Sequence, residues 1–446
     1  MKTIGKFLRL QPGEAGLVVL MGILLLGNSL SQQFSEITAI SNFLSEGGIN
    51  QILIVWFVDS LVILFITGLQ SLFIDRFSRI DITRWLLGIL GLLFIVLRLL
   101  FIFQAPKWFN YALLYVLSEQ QWLFVPLVFW VLANDVFDMS QAKRLFPLIA
   151  SMGFAGRLLG IAVAGLMPLL AKRLPNLSPE DLLIFNTLIY FVIFFYFDQG
   201  MKKVKIREIV KTEQTMRETL TEGWGFIRDV PSFRYLTLAM LAAGVIITVV
   251  DFHFLKVSNA AFTDPNSFQT FYSIYRLVLT LLAIALQGLL TSRIINGLGL
   301  KNTFLILPIA LLVASFSPIL LTGIVVVTAS ISLARLIQAT TDESARKAFQ
   351  ALVPEERRGR VSMFMDSYLF ACGTIFGCFV TGTVLIIGLF VNPAMVSTIY
   401  LTVAVVVSLL AIWAILKMRS VYDSSLLNWR LKRRQHRTSV LDKLEF

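Results

Sequence analysis

Residues 200–231 read GMKKVKIREIVKTEQTMRETLTEGWGFIRDVP, the longest polar stretch of a chain otherwise made of apolar runs. Charges of both signs alternate along it (Lys211, Glu213, Arg217, Glu218, Glu222), the pattern of a solvated helix linking two bodies. Before it, apolar runs of spanning length start near Ala15, Ile52, Trp85, Tyr111, Phe146 and Leu182; after it they start near Tyr235, Phe268, Phe304, Ile324, Val361 and Ala394. A membrane crossing needs roughly 20 apolar residues. The polar stretch therefore divides twelve predicted transmembrane helices into six and six.

Composition agrees. The 446 residues are 57% hydrophobic and only 15% charged, against roughly 45–50% and 25% in soluble domains. A soluble enzyme, a secreted domain and a disordered chain are excluded. Cys372 and Cys378 lie six residues apart in one apolar run and point in different directions on a helix, so they are read as small core residues. His253 and His436 are too few and too distant for a metal cluster, and no Walker-type glycine loop appears. No cofactor is expected, nor an ATP-driven pump or membrane enzyme. The basic start (Lys2, Lys6, Arg9) has the charge of a signal peptide but no convincing cleavage site, and reads as the flank of a retained first helix.

The cations orient the helices. With the N-terminus inside, 31 of the 39 lysines and arginines fall in cytoplasmic segments, three (Lys107, Lys172, Arg173) on the other side, and five within spans. Positive charge is retained on the cytoplasmic side, so both termini are predicted cytoplasmic. The net charge of +12 then reflects loops facing anionic lipid rather than a nucleic-acid groove, and the basic run Trp429 to Arg437 reads as an interfacial segment.

The two halves carry a weak repeat. Gln70-Ser71-Leu72-Phe73-Ile74-Asp75-Arg76 after the second span recurs in outline as Gln287-Gly288-Leu289-Leu290-Thr291-Ser292-Arg293 after the eighth. Ala142-Lys143-Arg144 after the fourth has a counterpart in Ala345-Arg346-Lys347 after the tenth. Two six-helix halves with matching loops are the pattern of a rocking-bundle carrier of the major-facilitator kind, whose site is expected between the halves. Clustered glycines (Gly153, Gly156, Gly160, Gly165; Gly373, Gly377, Gly382) predict close helix packing in the fifth and eleventh spans.

Charges inside a membrane cost about 3 kcal/mol each on insertion scales, so each one needs a partner, a cavity or a task. Glu119 lies about eight residues into the fourth span, roughly 12 Å deep, too deep to snorkel, and Gln120 and Gln121 follow it. Asp59 and Asp251 sit at similar depth in the second and seventh spans. Arg157, Arg276 and Arg335 lie inside the fifth, eighth and tenth. Guanidiniums hold phosphate oxygens bidentately and stay charged when desolvated, as a multivalent anion would require. The alternative for each is an intramembrane ion pair, for instance Arg276 with Asp251. Arg98 and Lys256 are within reach of the outer interface and are expected to snorkel. Asp342 and Glu343, beside Arg346 and Lys347, read as a cytoplasmic gate network, with Lys143 and Arg144 in the matching loop.

The stretch Phe129-Trp130-Val131-Leu132-Ala133-Asn134-Asp135-Val136-Phe137-Asp138, continuing through Gln141-Ala142-Lys143-Arg144-Leu145-Phe146-Pro147-Leu148, resembles the ATP/ADP translocase (nucleotide transporter) family. So do Val250-Asp251-Phe252-His253-Phe254-Leu255-Lys256, Arg358-Gly359-Arg360 and Met365-Asp366. The resemblance implies a major-facilitator-like fold and exchange of nucleotides across a membrane. Its intramembrane acids look like Glu119, after Ser118, and Asp251. The chain departs from the family pattern in two places. Ser31-Gln32-Gln33-Phe34-Ser35-Glu36 stands where a basic residue is expected near the end of the first span, and Cys372-Gly373-Thr374-Ile375-Phe376-Gly377 where a Gly-Lys is expected. The pattern is that of a divergent bacterial member.

Together these readings predict an all-α polytopic membrane protein with an N-terminal six-helix half (1–199), a cytoplasmic linker (200–233), a C-terminal half (234–416) and a basic tail (417–446). The function expected is secondary transport by alternating access in a bacterial cytoplasmic membrane, with a nucleotide or related organic anion as substrate and membrane lipid as surroundings. Arg157, Arg276, Arg335, Gln120 and Gln121 would bind the substrate; Asp59, Glu119, Asp251, Glu343, Lys143 and Arg144 would couple or gate. Two rivals remain: proton-coupled transport of another solute through Asp59, Glu119 and Asp251, and a non-transporting membrane scaffold or sensor.

Overall fold

The computed structural model describes residues 11, 14–73, 77–173, 180–181, 183–202, 204, 224–225, 227–350, 353, 361–388, 390 and 395–442. These residues are helical almost throughout, with no strand among them. The linker charges between 205 and 223, Arg76 and the Arg358-Gly359-Arg360 motif lie outside the described residues, as do the side chains of Lys143 and of Trp429 to Arg437.

Twelve helices carry the predicted spans: α1 (Ala15–Glu46), α2 (Ile52–Phe73), α3 (Arg79–Ile102), α4 (Lys107–Val136), α5 (Met139–Arg173), α6 (Leu183–Met201), α7 (Pro231–Ala261), α8 (Pro265–Leu289), α9 (Leu300–Leu320), α10 (Ile324–Gln350), α11 (Val361–Gly388) and α12 (Val396–Asp442). Eleven are long and apolar enough to cross a membrane; α2 falls just short over its fully described part, Ile52–Gly68. Helices are what lipid permits, because every backbone N–H and C=O must find its partner within the segment. Outward-facing Val192, Phe195, Val325 and Phe376 are exposed, as lipid-facing residues must be.

The helices form two compact units. One holds α1, α3 to α6 and the first part of α8, up to Thr280. The other holds the middle of α2 (Trp56–Gly68), α7, the rest of α8 and α9 to α12.

In the first unit α1 is the hub, packed on α4, α5 and α6. The close crossing of α1 and α5 explains two of the predicted glycines. A Cβ on Gly156 would sit 2.1 Å from the Leu26 carbonyl oxygen, and one on Gly160 2.4 Å from that of Leu30. In the second unit Gly244 of α7 meets Gly373 of α11, each occupying the space of the other's Cβ at 2.9 Å. Gly382 differs from the expectation: nothing lies within 4 Å of its missing Cβ, so it faces open space rather than a neighbouring helix. The second unit's core gathers Phe233, Phe304, Phe349 and Met365, with the Phe233 and Phe349 rings 4.3 Å apart.

Two breaks in helical regularity went unread in the sequence. Residues Gln338–Asp342 of α10 and Phe364–Tyr368 of α11 wind as π-helix. Such single-turn bulges insert one residue, re-aim the side chains that follow, and recur at functional sites.

Candidate functional site

The middle of α1 buries Asn28, Ser31, Gln32, Gln33, Ser35 and Glu36, a polar run that hydrocarbon would tolerate only with partners. The partners are present. One oxygen of Glu36 accepts hydrogen bonds from the amides of Gln32 (3.0 Å) and Gln33 (2.9 Å) and from the Arg276 guanidinium (2.8 Å). Gln33 also donates to Gln32 at 2.6 Å and accepts from Arg276 at 3.2 Å. Glu119, half-buried on α4, also acts on Arg276 through its charge. The result is a charged cluster built wholly within the first unit.

Beside it, the amide of Gln121 on α4 donates to Ser31 (3.1 Å) and to the Tyr190 hydroxyl (2.7 Å), which in turn donates to Asn28 (2.7 Å). This network ties α1, α4 and α6 together, so Gln121 is engaged in packing. A cavity of about 220 Å³ opens next to both groups, lined by Asn28, Ser29, Gln32, Trp122, Pro126 and Arg157. Gln120 is buried on the same helix but does not line it. Of the predicted substrate ligands, Arg157 is the one the cavity presents.

In the second unit Arg335 grips Asp251 with two nitrogens, Nε donating to Oδ1 at 3.2 Å and Nη2 to Oδ2. Its third nitrogen donates to Gln338 at 3.0 Å, where the π-helical turn of α10 starts. The pairing of Arg276 with Asp251 is therefore corrected: Arg276 takes Glu36, and Asp251 takes Arg335. Asp59 is buried on α2. Lys256 donates to Ser397 at 3.2 Å and lies over the Tyr400 ring. Arg98 pairs with Asp181 rather than reaching out alone.

The expected gate residues divide. Arg346 bonds Asp342 (2.8 Å) and Asp366 (3.0 Å), and Lys347 bonds Asp366 (2.6 Å). Gln350 donates to Asp366 at 3.0 Å. Both π-helical turns lie inside this network, contributing Asp342 and Asp366. Glu343 is exposed and acts on Arg346 through its charge, while its neighbour Asp342, on the π-helical turn, is buried and bonds Arg346 directly. At the matching loop of the first unit, Arg144 and Gln141 hold Glu14 at 2.9 and 3.1 Å, and Asp135 pairs with Arg79.

Trp122 was not singled out from sequence, and Glu36, Gln32, Gln33 and Asp366 were quoted only within segments compared with the family, without a role. A signal existed for Gln32, Gln33 and Glu36: a run of six residues, Ser31 to Glu36, with a single apolar member inside a spanning helix.

Comparisons with known proteins bear on this geometry. A family model described as TLC ATP/ADP transporter matches residues 94–342, more than half of the chain. ADP,ATP carrier protein 3 of Rickettsia felis is 40% identical over 67 residues, 15% of this chain and 12% of the relative. The protein of the same name from Rickettsia prowazekii is 39% identical over 67 residues, with the same shares. The chain thus aligns with only about an eighth of the length of these curated relatives. Among solved structures, a bacterial homologue of the iron transporter ferroportin in an inward-facing state superposes with a TM-score of 0.65 at 14% identity, covering 92% of this chain and 100% of that one. The nucleoside transporter NupG gives 0.61 at 13% identity, covering 91% and 99%. These likenesses establish the major-facilitator-like fold of a multi-pass membrane protein.

Proposed function

The chain belongs to the TLC ATP/ADP transporter family, and from that premise we propose that it is a secondary carrier that moves a nucleotide or a related organic anion by alternating access. The observation that supports this most is the set of intramembrane arginines. Arg157, Arg276 and Arg335 all fall within the family-matched residues, and two of them are held ready by resident carboxylates, Glu36 and Asp251. A guanidinium kept charged and aimed by an internal acid is a preformed anion site. A ligand phosphate or carboxylate binds by exchanging with that acid, offering the same bidentate geometry. Because the pairing must be given up, ligand binding and the arrangement of the helices that carry the acid are thermodynamically linked.

Within this reading Glu119, Asp59 and Asp251 supply the coupling or gating acids. The Asp342–Arg346–Asp366–Lys347 network and the Glu14–Arg144 contact act as the latches that open and close. Both termini lie on the cytoplasmic side of a bacterial inner membrane.

The test is thermal stabilisation of the purified full-length protein in detergent by ATP, ADP, AMP, inorganic phosphate and organic anions. A ligand at a hundred times its Kd stabilises the folded state by about 2.7 kcal/mol. A nucleotide should raise the melting temperature of the wild type and not that of Arg335→Gln. A protein indifferent to every nucleotide at millimolar concentration would overturn the substrate assignment.

A further inference from the structure

We propose that the cavity beside the charged cluster is a base-binding subsite, with the Trp122 indole as the platform on which a planar heteroaromatic base stacks. The proposal rests on the nucleotide reading above and adds the part of the substrate that the arginines cannot recognise. Tryptophan in membrane proteins concentrates at the two interfaces, where its N–H reaches water and headgroups. Trp122 is instead the sixteenth residue of the 30-residue α4, at mid-span. It is 47% exposed and stacks on no other aromatic ring among the described residues. Its neighbours around the cavity are polar: Asn28, Ser29, Gln32 and Arg157. An open indole face set among amides and a guanidinium is suited to a ligand that is both flat and polar.

A second feature points the same way. Pro126 lies four residues after Trp122 and lines the same cavity. Proline has no N–H, so the Trp122 carbonyl lacks the i+4 donor that a helix otherwise supplies. A carbonyl short of its donor beside an indole offers an acceptor for the edge amino group of a stacked base. Arg157, on the same wall, supplies the cation for the attached phosphate. Gln32 joins the cavity to Glu36 and Arg276 through its 3.0 Å bond, so a ligand seated here touches the charged cluster through one side chain.

Stacking of one base on an aromatic ring contributes about 5- to 100-fold in affinity. The experiment compares ATP, ADP and ribose 5-phosphate, which carries the anion without the base, on full-length wild type, Trp122→Ala and Trp122→Phe. Trp122→Ala should weaken ATP and ADP by about 5- to 100-fold and leave ribose 5-phosphate unchanged. Trp122→Phe should restore most of the nucleotide affinity, and ADP should quench a component of the wild-type tryptophan emission that Trp122→Phe lacks. Equal nucleotide affinity in wild type and Trp122→Ala would overturn the subsite while leaving the carrier reading intact. Equal losses for nucleotide and ribose 5-phosphate would also overturn it, since the ring would then only support the fold. A wild type that answers to no nucleotide fails the carrier reading first, and the subsite with it.

Discussion

The chemistry of the first unit turns on one carboxylate. Glu36 concentrates three donors on a single oxygen, and one of them is a guanidinium inside the membrane. Removing Arg276 leaves Glu36 without its guanidinium, and removing Glu36 leaves Arg276 with Gln33 and the charge of Glu119, in a medium where a poorly paired charge is costly. Arg276→Gln and Glu36→Gln should each lower stability by about 1–3 kcal/mol, between the values for exposed and fully buried pairs, since Arg276 is a quarter exposed and Glu36 nearly closed off. The double variant should lose less than the two singles combined. Binding separates them further. In the proposed carrier Glu36 competes with the ligand for Arg276, so Glu36→Gln should bind ADP more tightly than wild type even as its melting temperature falls, whereas Arg276→Gln should lose on both measures. Parallel losses in both variants would mean that Glu36 braces the helices and does not stand in for the substrate's anion.

At the scale of one element, the start of α5 shows what a family-like motif is for. Asp138 accepts the backbone N–H groups of Ser140 and Gln141, both at 2.8 Å, and Gln141 returns a bond to the Asp138 N–H at 3.1 Å. This is a reciprocal capping box, which satisfies donors a helix start would leave empty. Gln141 and Arg144 then tie that start to Glu14, at the foot of α1. The backbone N–H of Gln141, helped by Ser140, holds the Asp138 carboxyl below the usual range. The Gln11 N–H does the same for Glu14, aided by Arg144 and Gln141 against the opposing effect of burial. A carboxylate whose folded pKa is depressed contributes stability that is full above its unfolded value, about 4, and is lost as pH falls through the folded one. Asp138→Ala should therefore melt below wild type at pH 7, with the gap closing as the buffer is taken below pH 4. A gap that persists unchanged in acid would show that the cap works through something other than its charge. The sequence reading had this segment as a marker of kinship and a source of gating cations; the capping role follows from three-residue spacing and was open to inspection.

On the whole-molecule scale, what could and could not be read divides along a physical line. The helices were legible because lipid enforces one rule on every backbone group, and apolar runs such as those from Trp85 and Phe304 have no other use. Ion-pair partners were not, since Arg276 finds Glu36 across 240 residues of chain. Nor were the π-helical turns, one of which carries Asp342 into direct bonding with Arg346 while the neighbouring Glu343 acts on it through its charge. Orientation should belong to the legible kind, because it is set by where cations are retained and not by packing, and labelling from either side tests it. The expectation rests on 31 lysines and arginines on one side and three on the other when all twelve spans cross. The loop before α3 should then be cytoplasmic and the start of α4 external. Ser78 and Lys107 are both exposed at those positions, so a single cysteine at either, in a chain carrying Cys372→Ala and Cys378→Ala, reports its side to a membrane-impermeant maleimide. Lys107→Cys should label in intact cells, and Ser78→Cys only after the membrane is opened. The reverse pattern would invert every loop at once and turn the Asp342–Arg346–Asp366 network to the outer face; labelling of both in intact cells would mean that α3 does not cross.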